Sequence, residues 1–185
     1  KQSIRGQSIR GRALELIAVD GHRVGTRLAQ AAGLSRQVAN GYLQAILQDG
    51  LVEAEGTTRA RVYRLKTLAT AEKRFPRPGL EEDLVWRDVV APRVADLPEN
   101  VRNIWHYGAT EMINNAIDHS GAPEVMVSVQ RNALWTDVLV ADEGEGIFVK
   151  IQRALDLHDP REAILELAKG KLTTAPEAHT GEGIF

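Results

Sequence analysis

The chain has 185 residues, no cysteine and a hydrophobic content of 43%, enough for one medium domain or two small domains with buried cores. The lack of cysteine excludes disulfides and thiolate metal sites and fits the cytoplasm, where we expect the protein, and no apolar run approaches the roughly 20 residues of a membrane span. Residues 1–66 carry 11 Lys and Arg against 5 Asp and Glu, a net charge of +6, whereas residues 67–185 carry 12 against 20, a net charge of −8. This asymmetry predicts two modules with different partners.

The basic segment 1–66 has the pattern of three short helices followed by a β-hairpin. Apolar residues at helical spacing predict helices over 12–19, 27–32 and 36–48. Gly33 lies in the turn between the second and third helices, and Ser35 is predicted to cap the third helix. In the third helix, the residues expected to point inward are Val38, Tyr42, Leu43, Ile46 and Leu47. Residues 51–54 and 60–65 are predicted strands. The order of these elements resembles a winged helix-turn-helix domain.

That resemblance implies that the helix 36–48 enters the major groove of double-stranded DNA. The residues expected to contact bases or backbone are Arg36, Gln37, Asn40 and Gln44, with Arg59 and Arg61 reaching DNA from the wing. The same fold also serves as a protein-docking module, and a charge of +6 is moderate. A protein partner therefore stays open beside DNA.

Residues 67–79 are predicted to be a linker between two domains, because Pro76 and Pro78 exclude a helix. Residues 80–95 then have a helical pattern that Pro92 is expected to kink or break. The inward residues of this helix are expected to be Leu84, Val85, Val89, Val90 and Val94.

A further helix is predicted from Pro98 or Glu99 to His119, and it has two distinct faces. Glu111, Asn115 and Asp118 share one stripe at offsets of three and four residues. The residues on the opposite, buried side are expected to be Met112, Ile113, Ala116 and Ile117. A carboxylate and a carboxamide four residues apart can supply a base beside an oxygen ligand for Mg²⁺. On its own, the stripe is equally compatible with a polar face turned to solvent.

Two strands are predicted over 124–130 and 134–141, and the second leads directly into Asp142-Glu-Gly144-Glu-Gly146. Glycines two residues apart after a strand let the backbone approach a ligand closely, although glycines also serve plain turns. A carboxylate at the strand end can accept a hydrogen bond.

Taken together, the helix motif, the hairpin, the Asp142 motif and a second glycine motif at His179-Thr-Gly181-Glu-Gly183 resemble a known superfamily. It is the GHKL ATPase superfamily of gyrase, the heat-shock chaperone of that class, histidine kinases and MutL. The resemblance covers residues 80–185 and implies a Bergerat-type ATP-binding domain, a two-layer α/β sandwich with a mixed sheet. The chain as a whole is then α+β, with a lid at about 150–178, and the last strands of that family's sheet are not in this sequence.

The resemblance also implies ATP and Mg²⁺ as cofactors and a role for each motif residue. Asp142 would accept a hydrogen bond from the adenine amino group, and Asn115 would hold Mg²⁺. Asp118 would support the pocket for the adenine base or the water shell of the metal. Glu111 would be the general base. The glycines expected to cradle the nucleotide are Gly144, Gly146, Gly181 and Gly183. His119 is expected to cap the helix or face solvent.

These features predict a cytoplasmic, ATP-binding and DNA-binding transcriptional regulator that hydrolyses or senses ATP, with a homodimer left open. The alternative is a protein serine kinase of the anti-sigma type, whose winged helix docks a protein. A third interpretation, a nucleotide-independent module, fits less well with the presence of Glu111, Asn115 and Asp142.

Overall fold

A computed structural model describes residues 4–57, 60–159 and 161–162, and its fold is α+β with small antiparallel sheets. The chain divides into two compact units. The first contains Lys1–Thr70 and Gln130–Asp137, and the second contains Ala71–Val129 and Val138–Phe185.

The first unit begins with three helices and a hairpin. In chain order these elements are α1 (Ile4–Val19), α2 (Val24–Ala32), α3 (Arg36–Gln48), β1 (Val52–Glu55) and β2 (Val62–Leu65). The strands β1 and β2 pair antiparallel, with Val52 opposite Leu65 and Glu55 opposite Val62. The predicted number and order of elements in this part of the chain are confirmed, although α1 and α2 both begin earlier than expected.

Capping and packing explain the boundaries of α3. The hydroxyl of Ser35 accepts a hydrogen bond from the N–H of Val38 at 3.3 Å, as predicted. Before it, Gly33 ends α2 in the left-handed region with φ of +63°, a conformation that glycine adopts without steric cost. The buried face of α3 consists of Ala39, Leu43 and Ile46. Val38 is 47% exposed, so its predicted inward position was wrong.

The loop between α1 and α2 pairs with the β1–β2 hairpin through a single β-bridge. His22 forms an antiparallel bridge with Val62, and the N–H of Tyr63 donates to the carbonyl of Gly21 at 3.0 Å. A Cβ atom at Gly21 would lie 1.9 Å from the carbonyl oxygen of Tyr63, so this close backbone pairing requires glycine. The hairpin is thereby joined to the helical part of the unit.

The remaining elements are β3 (Ala69–Pro76), α4 (Glu82–Val85), a π-helical turn (Trp86–Val90), α5 (Ala91–Val94), α6 (Glu99–His119), β4 (Glu124–Arg131), β5 (Thr136–Asp142) and α7 (Ile147–Leu155). The strands form one sheet in the order β3-β4-β5. In the second unit, Ala109, Ile113 and Ala116 of α6 are buried in one cluster with the valines of β4. No helix among the described residues is long and apolar enough to cross a membrane.

The predicted linker at 67–79 contains β3, so most of it belongs to a sheet. The N–H of Leu68 donates to the carbonyl of Arg131, and that of Arg77 donates to the carbonyl of Pro123. Because the partner numbers fall as the strand numbers rise, β3 runs antiparallel to β4. The prolines exclude a helix as expected, but Pro76 only ends the strand.

Pro92 changes the helix in which it lies without ending it. Pro92 has no N–H to donate to the carbonyl of Asp88 four residues earlier. The guanidinium of Arg93 donates to that carbonyl at 3.0 Å instead, and residues 86–90 widen to a π-helical turn. The four valines of this segment are buried as predicted, whereas Leu84 is 36% exposed and its predicted inward position was wrong.

Candidate functional site

The polar stripe of α6 lies opposite the face that packs on the sheet. Glu111 and Asn115 are half-buried and Asp118 is exposed, whereas Ile113 and Ala116 are buried as expected. Met112 is 45% exposed, so the predicted buried face is narrower than expected. The side chain of Glu111 has no hydrogen bond or ion pair with the part of the chain that the structure describes. Its carboxylate can therefore serve an external partner.

The end of α6 lies directly against the Asp142 loop. A Cβ atom at Gly144 would lie 1.9 Å from the carbonyl oxygen and 2.6 Å from the carbonyl carbon of Ser120. Ser120 follows α6 immediately and is 5% exposed. Two motifs that are more than 20 residues apart in the sequence are thus in backbone contact, and a glycine at 144 makes that contact possible.

Asp142 and Gly146 shape the rest of this loop. One oxygen of the Asp142 carboxylate, Oδ1, accepts a hydrogen bond from the N–H of Gly144 at 2.9 Å. This bond closes a local turn and fixes the direction of the carboxylate. Gly146 has φ of +82° and ψ of 145°, which other residues adopt only under strain, and α7 begins immediately after it. The backbone N–H groups at the start of α7 therefore follow the loop directly.

Two neighbouring residues, Arg77 and Lys150, were not predicted to belong to the site. Arg77 donates from Nε to the carbonyl of Ala122 at 2.5 Å and from Nη1 to the carbonyl of Ile117 at 3.2 Å, which binds β3 to the end of α6. The Nζ atom of Lys150 lies 3.9 Å from the Cβ position of Gly121. The spacing of Lys150 four residues after Gly146, in the first turn of a helix, could have indicated it.

Burial of His119 differs from the expectation. This residue is 6% exposed, so its predicted solvent-facing position was wrong. It lies at the last position of α6, next to the equally buried Ser120, whose hydroxyl accepts from the N–H of Ala122 at 3.1 Å. This buried turn supports the contact with Gly144.

A second candidate surface lies on α3 in the first unit. Arg36, Gln37, Asn40 and Gln44 are all exposed, and Arg61 is half-buried next to β2. The spacing of four residues between Arg36, Asn40 and Gln44 brings them onto one helical face. The structure therefore groups five of the six residues predicted to contact DNA in one unit. Arg59, Gly181 and Gly183, and most of the predicted lid, lie outside the described residues.

A shifted carboxyl pKa occurs beyond the C-terminal end of α7. Hydrogen bonds from the side chain and backbone of Arg161 lower the pKa of Asp159 to about 2. This pair is local to one exposed turn. It contributes no group to either candidate surface.

In comparisons with known proteins, no family model matches this chain, and no curated protein and no solved structure matches it.

One side chain of α6, that of Asn115, is of a kind that could hold Mg²⁺. The gap at Gly144 admits no side chain, and Asn115 offers a hard oxygen of the kind that Mg²⁺ prefers. Within the described ranges, no three His, Asp or Glu side chains form a cluster that could hold a metal. A Mg²⁺ ion here would take its other ligands from phosphate oxygens and water, as is usual for this ion.

Proposed function

We propose that this chain is an ATP-binding and DNA-binding regulator, with the nucleotide on the second unit and the DNA on the first. The observation that carries the nucleotide assignment is the contact between Gly144 and Ser120. It brings the end of the helix with Glu111 and Asn115 against the loop that carries Asp142. A chance arrangement of polar residues gives no reason for this contact between two separate motifs.

In this proposal Asp142 recognises the adenine base of the nucleotide. Its Oδ1 atom is occupied by the N–H of Gly144, and its Oδ2 atom has no hydrogen bond with the residues that the structure describes. Oδ2 can accept a hydrogen from the amino group of adenine, in a direction that the turn has fixed. The N–H groups at the start of α7 carry the positive end of the helix dipole and suit a phosphate.

Glu111 and Asn115 supply the chemistry of the same site. Asn115 would hold Mg²⁺, which neutralises phosphate charge when bound. Glu111 lies one helical turn before Asn115, half-buried and with an available carboxylate, and would take the proton of an attacking water. We infer a Bergerat-type arrangement for the second unit from this set of positions.

For the first unit we infer a winged helix that binds duplex DNA. Support comes from the hairpin, the β-bridge between His22 and Val62 and the exposed polar face of α3. The net charge of +6 on residues 1–66 favours phosphate contacts. The shape and the charge together fit entry of α3 into a major groove.

Calorimetry with ATP and Mg²⁺ tests the nucleotide part. Asp142→Asn should weaken ATP binding by about tenfold or more, since it disturbs a hydrogen bond of a charged group. The control is Asp137→Asn, which makes the same change of charge on an exposed residue of β5. Equal ATP affinity of the wild type and Asp142→Asn would refute the assignment. ATP labelled at the γ-phosphate separates the two chemistries, because label in free phosphate means hydrolysis and label on a protein means the kinase alternative.

Binding to a duplex of random sequence over a range of salt concentrations tests the DNA part. Each lost phosphate contact lowers the slope of log affinity against log salt by about 0.9. Arg36→Met should lower it by about this amount, whereas Arg12→Met, an exposed arginine on α1, should leave it unchanged. No duplex binding at low salt would refute the assignment and favour a protein partner.

A further inference from the structure

The first unit contains a concave pocket of about 580 Å³ at the start of α2, along one face of α3 and beside β2. Three arginines line it, and the described lining residues include no carboxylate. They are Arg23, Arg36 and Arg61. The volume lies within the range typical of small-molecule sites, roughly 300–1,000 Å³.

The charges of these three arginines are not compensated by the described residues of the chain. None of the three forms an ion pair with a described residue. Other arginines of the same unit do, since Arg27 pairs with Asp20 and Arg64 pairs with Glu55. Positive charge is therefore concentrated in the pocket, which favours an external anion.

Arg61 provides the sharpest sign of a missing partner. Its Nε atom is buried and has no hydrogen-bond partner among the described residues. A buried donor of a charged group that lacks an acceptor destabilises the folded protein. An acceptor from outside the chain, located in the pocket, would satisfy it.

The start of α2, which also lines the pocket, has a strained backbone. Arg23 adopts φ of +50° and ψ of +28°, a left-handed conformation that is uncommon for a residue with a side chain. It precedes a helix of nine residues that has no side-chain cap in its first turn. The positive end of this helix and the guanidinium of Arg23 lie on one side of the pocket, and both favour an anion.

We propose that this pocket binds a small organic phosphate. The phosphate group would accept from the arginines, because a guanidinium matches the geometry of phosphate oxygens. The amides of Asn40 and Gln44 offer further polar contacts on the α3 side. The side chains of Leu43 and Tyr63, which are almost fully buried, form the floor of the pocket, where the body of the ligand would lie.

A bound ligand would also compete with DNA, a step that rests on the proposed function. Arg36, Asn40, Gln44 and Arg61 line the pocket and are four of the residues predicted to contact DNA. A phosphate ligand would neutralise the same guanidinium groups that a DNA backbone needs. The ligand would then release the first unit from DNA.

The test uses phenyl phosphate as a probe, with phenol and inorganic phosphate as its two halves. Binding is followed by NMR on the Nε–H resonance of Arg61 and on the amides of Val24 and Gly25. Phenyl phosphate should shift these resonances in a saturable manner, and inorganic phosphate should do so at higher concentration. Phenol should leave the Arg61 resonance in place. The absence of adenine from the probe separates this site from the nucleotide site.

Two variants and one control test whether the probe binds in this pocket. Arg61→Met and Arg36→Met should each weaken phenyl phosphate binding about tenfold or more, as expected for the loss of a charge-assisted hydrogen bond. Arg36 is exposed on α3, so its variant tests the site without endangering the fold. Arg64→Met removes an arginine that faces Glu55 at 3.1 Å and should bind the probe like the wild type.

The outcomes separate a ligand site from a DNA contact. Saturable binding that is lost in Arg36→Met and kept in Arg64→Met supports the pocket, whether or not DNA binds. Release of a bound duplex by phenyl phosphate additionally supports competition. If the duplex shifts the Arg61 resonance but no small phosphate does, the pocket accommodates backbone phosphate and the proposal is overturned. Equal affinity of Arg36→Met and the wild type would overturn it as well.

Discussion

Replacement of Gly144 by alanine tests the contact on which the nucleotide site depends. The added Cβ would lie 1.9 Å from the carbonyl oxygen of Ser120, 2.6 Å from its carbonyl carbon and 2.9 Å from Oδ1 of Asp142. Two of these atoms belong to the backbone of a residue that is 5% exposed, so they cannot simply rotate away. The loop must move off the end of α6.

Overpacking of this kind typically costs about 1–3 kcal/mol. We expect Gly144→Ala to lower the free energy of unfolding by that amount in urea, followed by circular dichroism, with faster amide exchange at the end of α6. We also expect a loss of ATP affinity of about tenfold or more, because the loop that orients Asp142 is displaced. The affinity is measured by calorimetry under conditions in which the variant is folded.

Gly108→Ala is the matched control. Gly108 lies within α6, and a Cβ atom there would have no heavy atom within 4 Å. Alanine is the better helix former, so this variant should be more stable by about 0.5–1 kcal/mol. If Gly144→Ala unfolds like the wild type and binds ATP with the same affinity, the contact between Gly144 and Ser120 does not shape the site.

Three further predictions concern single side chains. Glu111→Gln should bind ATP but release no phosphate, because the amide fills the same space without acting as a base; undiminished phosphate release would exclude that role. Arg77→Met should lower the free energy of unfolding by about 1–3 kcal/mol, since two carbonyls near the end of α6 lose their donor. The control is Arg74→Met on the exposed side of β3, which should change the free energy of unfolding by less than about 0.5 kcal/mol. A hydrogen bond from Lys73 at 3.1 Å is the main cause that holds the pKa of Asp88 below its ordinary value. The resulting stability is present above the unfolded pKa of about 3.9 and is lost as the pH falls through the lowered pKa of the folded state. In Lys73→Met the pKa of Asp88, followed by carboxyl-carbon NMR, should rise, and an unchanged value would assign the shift to another cause.

Long helices with complete patterns could be predicted from the sequence. The bounds of α3 at Arg36 and Gln48 agree with the prediction, because a capping serine and a helical repeat mark them. The start of α6 at Glu99 agrees with the predicted start at Pro98 or Glu99, and Pro98 immediately precedes the first helical residue. The stripe of Glu111, Asn115 and Asp118 follows from the helical repeat alone.

Side chains at the border of an apolar stripe could not be assigned in this way. Val38, Leu84 and Met112 all continue a helical pattern, and all three are exposed. At such positions the helix angle permits either burial or exposure, and the neighbouring element decides. His119 shows the converse, because its burial depends on the turn after α6 and not on its own polarity.

Contacts between distant segments could not be predicted from the sequence either. The strand β3 is interrupted by charged residues, so its alternation is hidden until its pairing with β4 is known. Similarly, the glycine spacing at 144 and 146 indicates an unusual backbone without saying why. The structure gives each glycine a different reason, which is a close approach to Ser120 for Gly144 and a positive φ for Gly146.

In the second unit, the contacts that stabilise the end of α6 also position the residues proposed to bind the nucleotide. Arg77, which follows β3, donates to the carbonyl of Ile117, Gly144 from the Asp142 loop lies against Ser120, and Lys150 from α7 approaches Gly121. Three separate chain segments therefore fix the position of one helix end. Because Asn115 and Glu111 lie within the last three turns of that helix, any movement of its end changes their distance from Asp142. A rigid helix end is thus what keeps the proposed metal and base groups aligned with the group proposed to select adenine.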